Sequence, residues 1–341
     1  RAASKPTAWI LKMRERMLAG EAPIGCRRCV ADEKAGIRSK RLRSEHLFER
    51  MEKPLRPESE LSSLTHLEYN LGNLCNLKCL TCNPRDSSAW SRDARVAGYE
   101  EVPMDRPDLE MLRPHLPYIK RIDLLGGETF LAKELNRTLE LLVSEGKPEE
   151  VFLAVTTNVT IFPSEKTRRL IEKFKSVEIT CSIDAYGERN EFIRHPSNWK
   201  SLRENMDLFF RWTATRSNLR LRMMSTISAY SYPDLPRLLR WWEEFVKGHS
   251  GESAAELFWV NTLLTPDFQA VHVLPRTVRE RTARALEVFG GDFLEKTRMV
   301  SDFALSTDAP ERLEKLRKWT LRLDQVRGTK SKDLVPEIYE E

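Results

Sequence analysis

Between residues 64 and 262, short β-branched and apolar runs alternate with longer stretches of helical period. The runs at 66–71, 119–125, 151–156, 177–183, 219–227 and 257–262 have strand length, whereas 132–144, 165–174, 199–213 and 233–247 carry apolar residues at helical spacing. This alternation predicts repeated β/α units around a parallel sheet, and six strands suit a partial barrel. Upstream, the apolar residues of 9–18 predict a short helix that stops before Gly20 and Pro23. Downstream, the turn residues Thr265-Pro266-Asp267 and Leu274-Pro275 precede charged amphipathic stretches at 277–289 and 309–326 that read as helices. The expected division is an amino-terminal segment 1–60, a barrel 61–262 and a helical extension 263–341 whose polar end from residue 330 lies on the surface.

Ligands of parallel β/α architectures gather at the carboxyl ends of the strands, where loops and helix amino termini open. Three of the runs end in chemistry: Gly126-Gly127-Glu128, Thr156-Thr157-Asn158 and Ile179-Thr180-Cys181-Ser182-Ile183-Asp184. A glycine pair permits close backbone approach, and Glu128 can accept a hydrogen bond from an ammonium group; a solvated turn is the plainer alternative. Successive strand side chains face opposite sides, so if Ser182 and Asp184 face the bore, Thr180 does too and Cys181 faces the helices. Asp184 could equally be a turn or cap residue before Gly187. In the run at 219–227, Arg220 and Arg222 should point inward or to the mouth, because the outer face is covered by helices. Arg222 is the candidate for an anionic group of a substrate, against a strand-end arginine reaching solvent.

The sequence Leu74-Cys75-Asn76-Leu77-Lys78-Cys79-Leu80-Thr81-Cys82 places three thiolates in one short loop. A structural zinc takes four ligands and a complete iron–sulfur cube four thiolates, so three leave one metal position open for chemistry. Cys26 and Cys29 form a second, metal-compatible pair, and Cys181 stands alone in an apolar run as a buried strand residue would. In a secreted protein such spacings could be a disulfide framework; a long chain with no recognisable leader and no apolar run near the roughly 18 residues of a membrane span reads as cytosolic and metal-binding. The alternative for the three cysteines is a zinc site completed by a histidine or by Cys26 or Cys29.

Cys75, Cys79 and Cys82, followed by the three strand ends, resemble the signature of the radical S-adenosylmethionine (SAM) enzymes, and the resemblance runs through most of the chain. It implies a partial (β/α)6 barrel of TIM type. A [4Fe-4S] cluster would sit on the three cysteines with SAM chelating its fourth iron, and one-electron reduction would yield methionine and a 5′-deoxyadenosyl radical. It implies SAM contacts from Gly126, Gly127, Glu128, Thr157, Asn158, Ser182 and Asp184, with Glu128 on the amino group and Arg194 on the carboxylate, where a fixed bidentate donor suits the task. A surface arginine is the other reading of Arg194. The family often has an aromatic residue before the last cysteine to pack on adenine; Thr81 stands here, so adenine must be gripped mainly from elsewhere.

The segment from Met13 through Cys26, Cys29, Glu33, Gly36, Ser39 and Arg41 resembles the amino-terminal region of a subgroup with a twitch or SPASM-like auxiliary-cluster domain. Two further cysteines usually precede that segment and are absent here, so either the sequence is truncated or another ligand or chain completes the site; a second iron–sulfur cluster held partly by Cys26 and Cys29 is the expectation, with zinc the runner-up. Residues 1–60 hold 15 Lys and Arg against 9 Asp and Glu, more than the whole excess behind the net charge of +5. That charge could serve an RNA partner, making an RNA-modifying enzyme one alternative, but a solvated surface near anionic thiolates explains it as well. Relatives with auxiliary domains oxidise, cross-link or epimerise, so the expectation is hydrogen abstraction from a peptide or sugar-like natural product, with flavodoxin or ferredoxin as reductant. A non-catalytic zinc or iron–sulfur binding protein is the alternative of another class. Epimerisation commonly needs a thiol donor; parity places Cys181 outside the bore, which leaves the absent amino terminus or a tyrosine such as Tyr69, Tyr186 or Tyr230.

Overall fold

The computed structural model describes residues 8–26, 29, 30, 33, 39, 41, 42, 64–99 and 109–340. Its core is one six-stranded sheet of sequential order: β1 (His66–Asn70), β2 (Arg121–Leu125), β3 (Phe152–Thr157), β4 (Ser176–Ser182), β5 (Leu219–Ile227) and β6 (Phe258–Thr262). The pairs from β2 to β6 are parallel. Each strand falls on the run that the apolar pattern marked, and the sequential order is that of an open barrel wall.

Burial alternates along the strands as the period of two requires. Leu153, Val155, Ile179, Cys181, Leu221 and Met223 are fully buried or nearly so, while Ala154, Thr156, Glu178, Thr180, Arg220 and Arg222 are only half-buried. The buried set forms the face under the helices. Cys181 belongs to it and Thr180 to the opposite set, the parity that the sequence implied; Ser182 shares the parity of Thr180 but is buried at the strand's end. Parallel register then stacks side chains in layers across the open face: Asp123, Ala154, Glu178 and Arg220 in one, Thr156, Thr180 and Arg222 in the next.

The helices follow from capped amphipathic stretches. α1 (Ala8–Leu18) carries no buried residue. α2 (Leu135–Glu145), α3 (Glu165–Ile171), α4 (Glu188–Ile193), α5 (Trp199–Ala214) and α6 (Leu235–His249) connect the strands. The Ser164 hydroxyl accepts from Thr167 N at 3.2 Å to open α3, and the Asn198 amide accepts from Ser201 N at 3.0 Å to open α5. In α6, Pro236 sits in the first turn, where its missing N–H is harmless, and Leu238, Leu239, Trp242, Phe245 and Val246 make the buried stripe. α7 (Arg276–Leu286), α8 (Leu294–Leu305) and α9 (Leu313–Arg327) form the extension.

Two compact units are distinguished: residues 1–67 with 109–120, and residues 68–108 with 121–341. In the first, the turn Ile24–Cys26 follows α1, and the Lys120 amide donates to Thr65 O at 2.7 Å. The second contains the three motif cysteines, β2 to β6 and the carboxyl-terminal helices. Among the described residues no helix is long and apolar enough to cross a membrane.

Candidate cluster and cofactor site

The cysteine loop follows β1 and is stitched through its backbone to the end of β2 and to the residues that close α4. The Gly127 amide donates to Gly72 O and that of Glu128 to Leu74 O, both at 2.9 Å; those of Lys78 and Leu80 donate to His195 O and Ile193 O, both at 2.7 Å. Side chains finish the loop: Ser87 Oγ donates to Leu77 O, and Trp90 Nε1 donates to Cys79 O at 3.0 Å. Gly127 has no room for a side chain, because an added Cβ would lie 2.6 Å from Asn73 O and 2.7 Å from Leu74 O. The steric demand is therefore made by the cysteine loop. Gly127→Ala is expected to push that loop aside, with destabilisation of about 1–3 kcal/mol and reduced iron uptake, measured by urea unfolding and iron analysis after reconstitution.

The three cysteines lie close enough to influence one another's charge. Burial pushes the Cys79 thiol up to about 11, and burial together with the charge of Cys79 pushes Cys82 up. Buried thiols that repel one another as thiolates are held in the charged form by a metal centre. Among the described residues no three Cys, His, Asp or Glu side chains are grouped closely enough to hold a single metal ion. A multi-iron cluster makes no such demand, because each cysteine binds a different iron. Three thiols on one short loop are the donor type that such a cluster takes.

Glu128 is buried at the end of β2. Its Oε1 accepts from Phe130 N at 3.0 Å and Thr157 Oγ1 at 2.8 Å, and its Oε2 accepts from Asn158 N at 2.6 Å. Burial pushes its carboxyl above the ordinary range despite those bonds. It thus ties the end of β2 to the end of β3. Thr157 is engaged in the same lock, its Oγ1 also accepting from Val159 N at 3.0 Å. Asn158 turns its amide toward Cys75 and Asn76.

At the end of β4, Asp184 is buried; its Oδ1 accepts from Thr226 N and its Oδ2 from Arg194 Nη1, both at 2.8 Å. Arg194 and Asp184 read from the sequence as having separate roles, and the structure joins them. Burial opposes the charge on Arg194, but Cys79 and Asp184 outweigh it and raise its pKa. Arg194 Nε is buried with no hydrogen-bond partner, a donor open to a ligand carboxylate. Arg222 stands on the open face as expected, with its Nε 2.9 Å from Glu178 Oε2 and its guanidinium 4.8 Å from the Trp259 ring centroid.

Sequence reasoning missed a charged brace behind the loop. Lys78 Nζ lies 2.8 Å from Asp93 Oδ2, and Arg327 Nε lies 2.7 Å from the same oxygen with both side chains almost fully buried. Arg327 also lies over the Trp90 ring, 4.6 Å from its centroid. Lys78 within the motif and Asp93 just after it were legible; Arg327, at the far end of the chain, gave no signal.

Cys26 and Cys29 are free and half-buried in the other unit. Nearby in sequence, Glu33 accepts from Ser39 Oγ at 2.5 Å and from Arg41 Nη2 at 2.6 Å. These bonds, that from Arg41 foremost, hold the Glu33 carboxyl below its ordinary range. Gly36 lies outside the described residues.

No family model matches the chain. A stretch of 103 residues is 26% identical to GTP 3′,8-cyclase of Campylobacter lari, covering 30% of this chain and 30% of the cyclase. The solved structure of hexahistidine-tagged anSMEcpe with bound AdoMet aligns at 14% identity and TM-score 0.50, over 72% of this chain and 65% of that one. The likeness to this solved structure is one of fold. Native anSMEcpe with AdoMet and the Kp18Cys peptide aligns at 14% identity and TM-score 0.46, over 68% and 62%. The chain therefore spans under two thirds of each of these proteins.

Proposed function

We propose that this protein is a radical SAM enzyme that abstracts a hydrogen atom from a C–H bond of a peptide or sugar-like substrate. The observation that carries the reading is the loop of Cys75, Cys79 and Cys82 fixed by backbone bonds at the mouth of an open, parallel six-stranded sheet. Cys75, Cys79 and Cys82 would hold a [4Fe-4S] cluster, which with SAM would supply one-electron chemistry leading to a 5′-deoxyadenosyl radical. The chain's own residues fix the loop through Gly127, lock the β2 and β3 ends through Glu128, and offer the Arg194 guanidinium for the SAM carboxylate. Ser182 lines the open side of β4, and Asp184 orients Arg194.

Arg222, balanced by Glu178 and covered by Trp259, would hold an anionic or polar substrate group one layer below that mouth. Cys26 and Cys29 would contribute to a second iron–sulfur cluster completed by further ligands, in a twitch or SPASM-like arrangement. Flavodoxin or ferredoxin would supply the electron. The test is anaerobic reconstitution with iron and sulfide, reduction with dithionite in the presence of SAM, and chromatographic detection of 5′-deoxyadenosine. Its absence from a loaded protein would sink the reading in favour of a binding protein.

Cys181 is fully buried on the helix side of β4, where burial pushes its thiol well up. A Cys181→Ala variant is expected to keep full turnover. A variant that forms 5′-deoxyadenosine but stalls after substrate abstraction would make Cys181 the hydrogen donor after all.

A further inference from the structure

We propose that Asn158 acts on the cluster ligand Cys75 instead of on SAM, and that its side-chain N–H sets the reduction potential of the cluster; this rests on the radical SAM reading. Asn158 Nδ2 lies 3.7 Å from Cys75 Sγ. The remaining capacity of that amide is used within the protein. Nδ2 also donates to Asn76 Oδ1 at 3.0 Å, while Oδ1 accepts from Thr160 N at 3.0 Å and Thr160 Oγ1 at 2.6 Å. An amide has two donors and two acceptor positions, so none is left over for a ligand.

The backbone around Asn158 is built to hold this orientation. Its N–H is bound by Glu128 Oε2 at 2.6 Å, and the next residue, Val159, has φ of 65° while fully buried. A β-branched residue in the left-handed region is disfavoured and persists only where the surroundings fix it. Here Thr157 Oγ1 accepts from Val159 N at 3.0 Å, and Asn205 Nδ2 donates to Val159 O at 2.8 Å. The chain reverses directly after Asn158 and leaves its amide on the cysteine loop. The Leu77 amide also donates to Cys75 Sγ, at 3.4 Å, so this sulfur receives two N–H groups.

Hydrogen bonds to a cluster's sulfurs tune its potential. When the reductant delivers one electron the sulfur becomes more negative, no bond forms or breaks, and an N–H facing it stabilises the reduced form more than the oxidised one. Removing the donor therefore lowers the potential. Asn158 is a positioning residue in this role, since it reaches the chemistry through Cys75.

The experiment is an EPR-monitored redox titration of the reconstituted full chain, carried out in a Cys26→Ala, Cys29→Ala background so that one cluster gives the signal. Asn158→Leu is expected to shift the reduction equilibrium at least tenfold toward the oxidised form, about 59 mV for one electron. Thr160→Ala removes the hydroxyl on Asn158 Oδ1 but keeps the Nδ2 donor and the Thr160 backbone N–H that holds Oδ1, and is expected to leave the potential in place. An unmoved potential in Asn158→Leu, or an equal shift in Thr160→Ala, overturns the proposal. Should Asn158→Leu take up no iron, pulsed EPR of the background protein labelled with 15N in asparagine side chains decides: a 15N coupling to the reduced cluster supports it and its absence overturns it. A background protein that takes up no cluster removes the radical SAM reading and this inference with it.

Discussion

Replacing Cys79 with alanine is expected to abolish 5′-deoxyadenosine formation and to lower the iron content by one cluster. Cys79 is the most enclosed of the three motif cysteines, and its carbonyl is held by the Trp90 indole at 3.0 Å. Its thiol has therefore little freedom to be replaced by a neighbour, and Cys181 is on the other face of the sheet. Two thiolates cannot keep three irons of a cube in place, so loss should be complete and not graded. Iron analysis, the visible absorption of the reconstituted protein and chromatography after dithionite reduction with SAM read the result. Retained cleavage activity in Cys79→Ala would show that the loop does not carry the cluster. Intact zinc content with no cleavage in either protein would favour the binding-protein alternative.

The sheet was legible because its signal is local. A run such as Ile179-Thr180-Cys181-Ser182-Ile183 announces both a strand and its two faces through a period of two, and the structure keeps that alternation through Cys181 before β4 ends at a buried Ser182. The cysteine loop was legible as a motif because its spacing places three thiols on one short segment. What the sequence could not disclose were partners chosen by the fold. Glu128 reads as an open acceptor, yet its oxygens are taken by Thr157 and Asn158, about 30 residues onward. Arg194 and Asp184 read as two ligand contacts, yet they form one ion pair across the turn after β4. Strand ends that meet a ligand also have to close against each other, and which of the two tasks a polar residue performs depends on geometry in three dimensions.

The same distinction explains Gly126 and Gly127. As a motif they mark a place where a ligand can approach, and in the fold the approaching object is the backbone of residues 72–74. The glycines thereby act on the site indirectly, by fixing the loop on which the three sulfurs stand. A cysteine loop fastened at both Gly127 and His195 holds its three thiols on a fixed backbone, which would lower the ordering cost of loading the proposed cluster.

Asp93→Asn is expected to cost about 3–5 kcal/mol of stability, among the largest effects of any single change outside the cysteines. The carboxylate is buried between Lys78 and Arg327, and the isosteric amide would leave Arg327, itself nearly inaccessible, with an uncompensated charge. Arg327 Nη1 and Nη2 already lack hydrogen-bond partners, so no second acceptor stands ready. Burial disfavours the Asp93 carboxylate, but hydrogen bonds from Lys78 and Arg327 outweigh it and hold the carboxyl below the usual range. A depressed folded pKa means that the contribution is complete above about pH 5 and is lost as pH falls through the unfolded value of about 3.9 toward the folded one. Urea unfolding should therefore show the wild type losing its advantage over Asp93→Asn in acid. Removing both charges, as in Asp93→Leu with Arg327→Met, should recover part of the loss, because a buried pair replaced by apolar groups is far less costly than a buried pair broken. Because Lys78 stands inside the cysteine motif and Arg327 ends α9, the variant should also load less iron. Equal unfolding midpoints and equal iron content for wild type and Asp93→Asn would show that the brace contributes nothing to the loop.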